Sequence, residues 1–156
     1  MSLNAQSLQS KKDLIKAAIY TLLEKDVIVS AICIQEAYFS EDRINLTDLK
    51  IQGYELVTQC SKLGQTGGLA IYVHESYTVK VRSPLCYQGK DWEALFIDIT
   101  AEFMKKPVTI GNIYRPGRGN NQAQLQAFNS KLNSIINALF SGSGIIISGH
   151  IRCSTR

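Results

Sequence analysis

The stretch "VIVSAICIQE", Val27–Glu36, decides how the rest of the chain is read. Its first eight residues are almost wholly apolar, and two polar residues end it. A run of that length and character suits a strand buried on both faces better than a helix. The segment before it, Ser10 to Lys25, has the opposite rhythm. Leu14, Ile15, Ala18, Ile19, Leu22 and Leu23 recur at the spacing of one helical face, and Ser10 can cap its start. A helix leading directly into a buried strand points to an α/β arrangement.

Working outward, the middle of the chain is rich in strands. "YELVTQC" (Tyr54–Cys60), "GLAIYVHES" (Gly68–Ser76), "TVKVRS" (Thr78–Ser83), "WEALFIDIT" (Trp92–Thr100) and "VTIGNIYR" (Val108–Arg115) all read as β. Several alternate apolar and polar residues, as a half-buried antiparallel sheet does. A second amphipathic helix follows from Gln122 to Phe140, with Leu125, Phe128, Leu132, Ile135, Ile136 and Leu139 inward. Gly142 and Gly144 end it. The final stretch "GIIISGHIRCSTR" opens with an apolar run that reads as one more buried strand. Helix, strand, antiparallel strands, helix, strand is the order of a mixed α/β sheet with helices packed on it. No internal repeat, low-complexity tract or linker divides the chain.

Composition narrows the class. A length of 156 residues suits one domain, and a hydrophobic content of 45% supports an ordinary core. No apolar stretch approaches the ~18–20 residues of a membrane helix, and "MSLNAQSLQSKK" lacks the apolar heart of a secretory signal. The expectation is a soluble intracellular protein without a membrane partner; nucleus and cytoplasm are not distinguished. Cys33, Cys60, Cys86 and Cys153 show no C-x-x-C spacing, so neither a zinc site nor a redox pair is indicated. The net charge of +4 is compatible with a polyanionic partner and does not demonstrate one.

Four polar residues share one kind of address. Asn4 precedes the first helix, Glu36 follows "AICIQ", Tyr114 follows "TIGNI" and His150 follows "IIISG". Each falls at or just past the carboxyl end of a strand, where α/β proteins collect their chemistry. Singly, each has an ordinary reading as a turn, cap or packed aromatic residue. Neighbouring strands would bring them to one cleft.

The residues around them carry a resemblance. "NAQSL" (Asn4–Leu8), "AICIQEAYF" (Ala31–Phe39), "TGGLAIYV" (Thr66–Val73), "NIYRPG" (Asn112–Gly117) and "IIISGHIR" (Ile145–Arg152) occur in a fixed order. In that order the chain resembles the endonuclease/exonuclease/phosphatase superfamily, most of all the apurinic-type endonuclease domain of LINE-type retrotransposons. The resemblance implies a DNase I-like two-sheet sandwich flanked by helices, and a Mg²⁺-dependent phosphodiesterase that nicks DNA. It implies that Glu36 is the main metal carboxylate and that Asn4 supports metal and phosphate. It further implies that the Tyr114 phenol hydrogen-bonds the phosphate as charge builds. Arg115, and with it Arg118, is expected to touch neighbouring phosphates.

The chain departs from this pattern at its last strand. Where the family carries Gly-Asp-Phe-Asn, this sequence reads Gly149, His150, Ile151 and Arg152. His150 thus stands in place of the Asp that holds or activates water, and Arg152 in place of a phosphate-binding Asn. The family's later Ser-Asp-His cluster has no counterpart, and only three residues precede Asn4. Residues 1–156 are therefore expected to be a partial domain, lacking most of the first strand and the C-terminal half, and to hold about the first sheet and its helices. Its catalysis is expected to be impaired, because groups that act as a unit fail together. An uncovered sheet face would invite self-association. Two other readings stay open: a non-catalytic DNA-binding remnant of the same fold, and a phosphoinositide phosphatase or deadenylase branch of the superfamily.

Overall fold

A computed structural model describes residues 1–38, 46–61, 67–117, 121–139 and 144–151. Strand β1 (Ser2–Asn4) leads into helix α1 (Leu8–Leu23), and strand β2 (Ala31–Gln35) follows. Next come β3 (Tyr54–Gln59), β4 (Leu69–His74), β5 (Thr78–Val81), a 3-10 turn (Ser83–Leu85) and the short β6 (Tyr87–Gln88). Strands β7 (Glu93–Thr100) and β8 (Val108–Arg115), helix α2 (Gln122–Leu139) and strand β9 (Gly144–Ile151) complete the order.

The strands form two sheets. One runs β1-β2-β4-β3, with β1 parallel to β2 and the other pairs antiparallel. The second runs β5-β7-β8-β9, with β6 also on β7 and β8 parallel to β9. Period-two alternation then builds four layers. Ile32, Ile34, Ala70 and Tyr72 face Leu8, Ile15 and Ile19 of α1. Cys33, Leu69, Ile71 and Val73 face Leu95, Ile97, Ile99, Ile110 and Tyr114 between the sheets. Ala94, Phe96 and Ile113 face Phe128, Ile135 and Leu139 of α2. Helix, sheet, sheet and helix thus stack around one interior.

The two-sheet sandwich flanked by helices is what the resemblance implied, but its extent differs. Strands of both sheets are present, where about one was expected. The alternating strands of the middle do not share a sheet: β3 and β4 belong to the first, β5 to β8 to the second. Alternation reports one half-buried face and is silent about which sheet a strand joins. The final apolar run is also not a buried strand. Strand β9 ends the second sheet's order, and Ile146, Ile147 and Ile151 are 56%, 43% and 46% exposed. Helix α1 begins three residues before its expected start, because the Ser7 hydroxyl, not that of Ser10, accepts the capping bond from the Ser10 amide. Leu14 and Leu23, expected on its inner face, are exposed. Only Ala31–Gln35 of the opening stretch pairs as strand.

A polar tie crosses the apolar interior. Gln35 Nε2 donates to Asn112 Oδ1 at 2.5 Å, and Asn112 Nδ2 donates to the carbonyls of Ile34 and Ala70 at 2.9 and 3.1 Å. Both side chains are buried, so the bonds satisfy groups that would otherwise be costly to desolvate. This tie fixes how far β8 has slid along β2, and so which residues leave the two sheets together.

Candidate active site

Strands β2 and β8 run the same way. Ala31 lies with Ile110 and Ile146 along a cavity at one end, and Gln35 meets Asn112 further on. Glu36, just past the end of β2, and Tyr114, two residues beyond Asn112 in β8, therefore emerge at the same end. The parallel partners add to this. Asn4 ends β1 in register with Gln35, and His150 lies beside Tyr114 in β9. The expected convergence of Asn4, Glu36, Tyr114 and His150 on one end of the sheets follows from two parallel pairs packed face to face.

Within that end, Asn4 and Glu36 touch. Asn4 Nδ2 donates to Glu36 Oε1 at 2.7 Å, and Tyr38 Oη donates to Glu36 Oε2 at 3.1 Å. Glu36 is buried, and its φ of 52° lies in the left-handed region, as does Tyr38 at 57°. Non-glycine residues resist that conformation, so the surroundings must impose it. The Ser7 amide donates to the Glu36 carbonyl at 2.8 Å, and the amides of Ala37 and Tyr38 donate to the carbonyls of Gly68 and Gly67 at 3.0 and 2.9 Å. Gly67 and Gly68 themselves adopt φ of 90° and 80°, which explains the glycine pair in "TGGLAIYV".

Beneath this loop lies a residue that the sequence reading gave no role. Glu93 begins β7, is fully buried, and accepts the Gly68 amide at Oε2 at 2.7 Å. It stands opposite Tyr114 in the ladder, so Glu93, Tyr114 and His150 form a row across three strands. The signal available was an acidic residue opening an otherwise apolar strand, "WEALFIDIT". Gln35 and Asn112 were likewise quoted without a role; their signal was an amide inside an apolar strand.

Tyr114 is 3% exposed and packs in the layer between the sheets. Its ring and that of His150 lie 6.4 Å apart at 17°. Arg115 goes elsewhere. As the next residue in a strand it must face the other side of the sheet. There it is 1% exposed, with its guanidinium carbon 5.0 Å from the centre of the Phe128 ring on α2. A direct phosphate contact beside Tyr114 does not follow from that placement. Arg118 and Arg152 lie outside the described residues.

The donors present suit a hard divalent cation. Asn4 Oδ1 is buried with no hydrogen-bond partner among the described residues, next to the Glu36 carboxylate. An amide oxygen beside a carboxylate is the kind of set Mg²⁺ uses while keeping several waters. Among the described residues no group of three or more His, Cys, Asp or Glu side chains gathers as a denser metal cluster would. Cys33 is not a candidate for chemistry, since burial pushes its thiol up to about 11.

No protein-family model and no curated protein sequence matches the chain. Solved structures do. The AP endonuclease LMAP from Leishmania major superposes with a TM-score of 0.68 at 16% identity, over 95% of this chain and 53% of that one. The catalytic domain of Xenopus laevis APE2 gives 0.62 at 18% identity, over 99% and 58%. D. rerio TDP2 complexed with single-strand DNA product gives 0.60 at 12% identity, over 95% and 58%. The chain has the DNase I-like fold. The DNase I-like sandwich seen here spans between 53% and 58% of these three structures. Among the described residues no helix is long and apolar enough to cross a membrane.

Proposed function

We propose that this chain is part of a Mg²⁺-dependent phosphodiesterase domain of the DNA-nicking, apurinic-endonuclease kind, from a LINE-type retrotransposon, and that its catalysis is impaired. The observation that carries the reading is the Asn4–Glu36 pair. A buried carboxylate is held in a strained turn beside an amide oxygen without a hydrogen-bond partner among the described residues, at the end where both parallel strand pairs finish. The ordered motifs favour the LINE-type origin. The whole domain would be longer than residues 1–156.

Glu36 and Asn4 would hold Mg²⁺, which when bound would screen the phosphate charge and acidify a water. The Asn4 amide fixes the Glu36 carboxylate through one oxygen and Tyr38 through the other, so the carboxylate is oriented before any ligand arrives. Tyr114 would donate its phenol to a phosphate oxygen. His150 beside it would offer a hard cation a ring nitrogen in place of a carboxylate oxygen, and this is one reason to expect impaired turnover, with the Arg152 exchange and the lost Ser-Asp-His cluster. On the resemblance, Arg118 would touch a neighbouring phosphate, and Arg152 in place of the family's Asn would set positive charge against the cation.

Nicking of supercoiled plasmid in Mg²⁺ tests the reading. The wild-type chain should nick slowly, His150→Asp should nick faster, and Glu36→Ala should abolish what remains. Nicking that survives Glu36→Ala would remove the proposed metal site. Salt-dependent DNA binding with no nicking, even in His150→Asp, would instead favour a non-catalytic DNA-binding module.

A further inference from the structure

Glu93 joins the two sheets at the end where Glu36 and Tyr114 emerge. It opens β7 in the second sheet and pairs across the ladder with Tyr114. By strand alternation its side chain shares the face of Leu95, Ile97 and Ile99, which looks toward the first sheet. There its Oε2 accepts the amide of Gly68, the residue before β4, at 2.7 Å. The link runs on to the candidate site. The Gly68 carbonyl accepts the Ala37 amide at 3.0 Å, and the Gly67 carbonyl accepts the Tyr38 amide at 2.9 Å. Ala37 and Tyr38 are the residues that follow Glu36 through its turn.

Two features make this link more than an incidental hydrogen bond. The first is strain. Glu36 and Tyr38 sit at φ of 52° and 57°, a region that side chains resist, so the turn needs restraint from outside. The loop that supplies it is a pair of glycines at φ of 90° and 80°, the residues with the most backbone freedom to lose. An acceptor fixed in β7 gives that loop one place to rest. The second is the chemistry of the acceptor. A fully buried carboxylate is a costly group to desolvate, and an apolar side chain of similar size would fill the space without that cost. In return a carboxylate makes a shorter and stronger bond to an amide than a neutral oxygen does.

We propose that Glu93 is a positioning residue. Its carboxylate holds the Gly67–Gly68 loop, and through it the Glu36–Tyr38 turn of the first sheet, in fixed relation to Tyr114 of the second. It acts through Glu36 and touches neither cation nor phosphate. This role deepens the metal reading of Glu36 and rests on it for what the turn is held ready to do; the link itself needs no metal.

The test compares the full chain with Glu93→Leu, which keeps the volume and loses the acceptor, and Glu93→Gln, which keeps an acceptor oxygen. Amide hydrogen exchange is read by nuclear magnetic resonance without metal. Glu93→Leu should speed exchange at Gly68, Ala37 and Tyr38 by about ten-fold or more relative to Ile71 and Ile110 inside the two sheets, and Glu93→Gln should restore most of the protection. Mn²⁺ affinity, read by electron paramagnetic resonance, should fall about ten-fold or more in Glu93→Leu and much less in Glu93→Gln, as for a partner that orients a metal ligand. Unchanged exchange at Ala37 and Tyr38, equal acceleration of every amide, or Glu93→Gln as fast as Glu93→Leu would each overturn the role. So would an unchanged Mn²⁺ affinity in a Glu93→Leu chain whose turn has loosened. If Glu93→Leu does not fold, Gly67→Ala strains the same link at its φ of 90°, and unchanged exchange at Tyr38 there would overturn it instead. Absence of Mn²⁺ binding by the unaltered chain would count against the metal site at Glu36, and the metal-free exchange rates would still decide the role of Glu93.

Discussion

Asn112 sits in the middle of β8, surrounded by isoleucines, and it is there because three polar groups of the first sheet need it. Its amide serves two carbonyls and its oxygen takes the Gln35 proton. Asn112→Ala would remove one hydrogen bond from each of those carbonyls and leave the Gln35 amide only its 3.2 Å bond to Ser2 Oγ. Loss of stability of about 1–3 kcal/mol is expected in urea denaturation, the cost of weakening buried polar groups that lose a partner. A loss below about 1 kcal/mol would mean that the tie is not closed in solution. The neighbouring Gly111 makes a packing demand instead. A Cβ there would stand 2.3 Å from Phe96 Cε1, because Phe96 lies directly across it in the ladder. Gly111→Ala must displace a fully buried ring, at an expected cost of about 1–3 kcal/mol by the same measurement. The paired variant Gly111→Ala with Phe96→Leu should recover part of it, which a purely conformational effect of glycine would not allow.

At the scale of elements, legibility in the sequence followed the physics of each signal. The bounds of helix α2 and strand β8 were readable nearly to the residue, because their periodicities are local, although Leu125 of α2, expected inward, is exposed. The strand-end positions of Asn4, Glu36, Tyr114 and His150 were readable for the same reason. Glu93 and the Gln35–Asn112 tie were not, because a polar residue in an apolar strand marks a position without naming its partner, and these partners lie far away in sequence. Strand β9 shows the limit most plainly. "GIIIS" has the composition of an interior strand, yet burial depends on what lies on its far side. Ile146 lines the inter-sheet cavity beside Met1, Ala31, Cys33, Ile99 and Ile110, and it is still more than half exposed. An apolar strand edge of this kind is a template for further pairing. The chain of residues 1–156 should self-associate at micromolar concentration in sedimentation velocity, and Ile146→Lys with Ile147→Lys should shift it toward monomer. A monodisperse monomer from the unchanged chain would show that this edge is not adhesive.

At the scale of the whole molecule, the buried acids outside the site set a stability limit at high pH. Cys33 lies between the sheets, and burial raises its thiol from 9.0 to about 11 against the smaller opposing effects of the N-terminal ammonium and the Ser148 hydroxyl. Tyr72 lies between the first sheet and α1, where burial raises its phenol from 10.0 to about 12 while its hydroxyl donates to the Leu49 carbonyl at 2.7 Å. Both groups are neutral when folded and ionise more readily when unfolded. The folded state therefore binds more protons across this range, and stability falls as pH rises. Their contribution is fully present below pH 9, declines through pH 9–11 as the unfolded thiol ionises ahead of the folded one, and declines again through pH 10–12 for the phenol. The urea midpoint should stay level from pH 7 to 8.5 and then drop. The double variant Cys33→Ala, Tyr72→Phe should start from a lower midpoint, having lost buried contacts and one hydrogen bond, and then fall less steeply above pH 9. A slope unchanged from the parent chain would mean that water reaches these two groups in the folded state, and hence that the layers are packed more loosely than the sandwich described here.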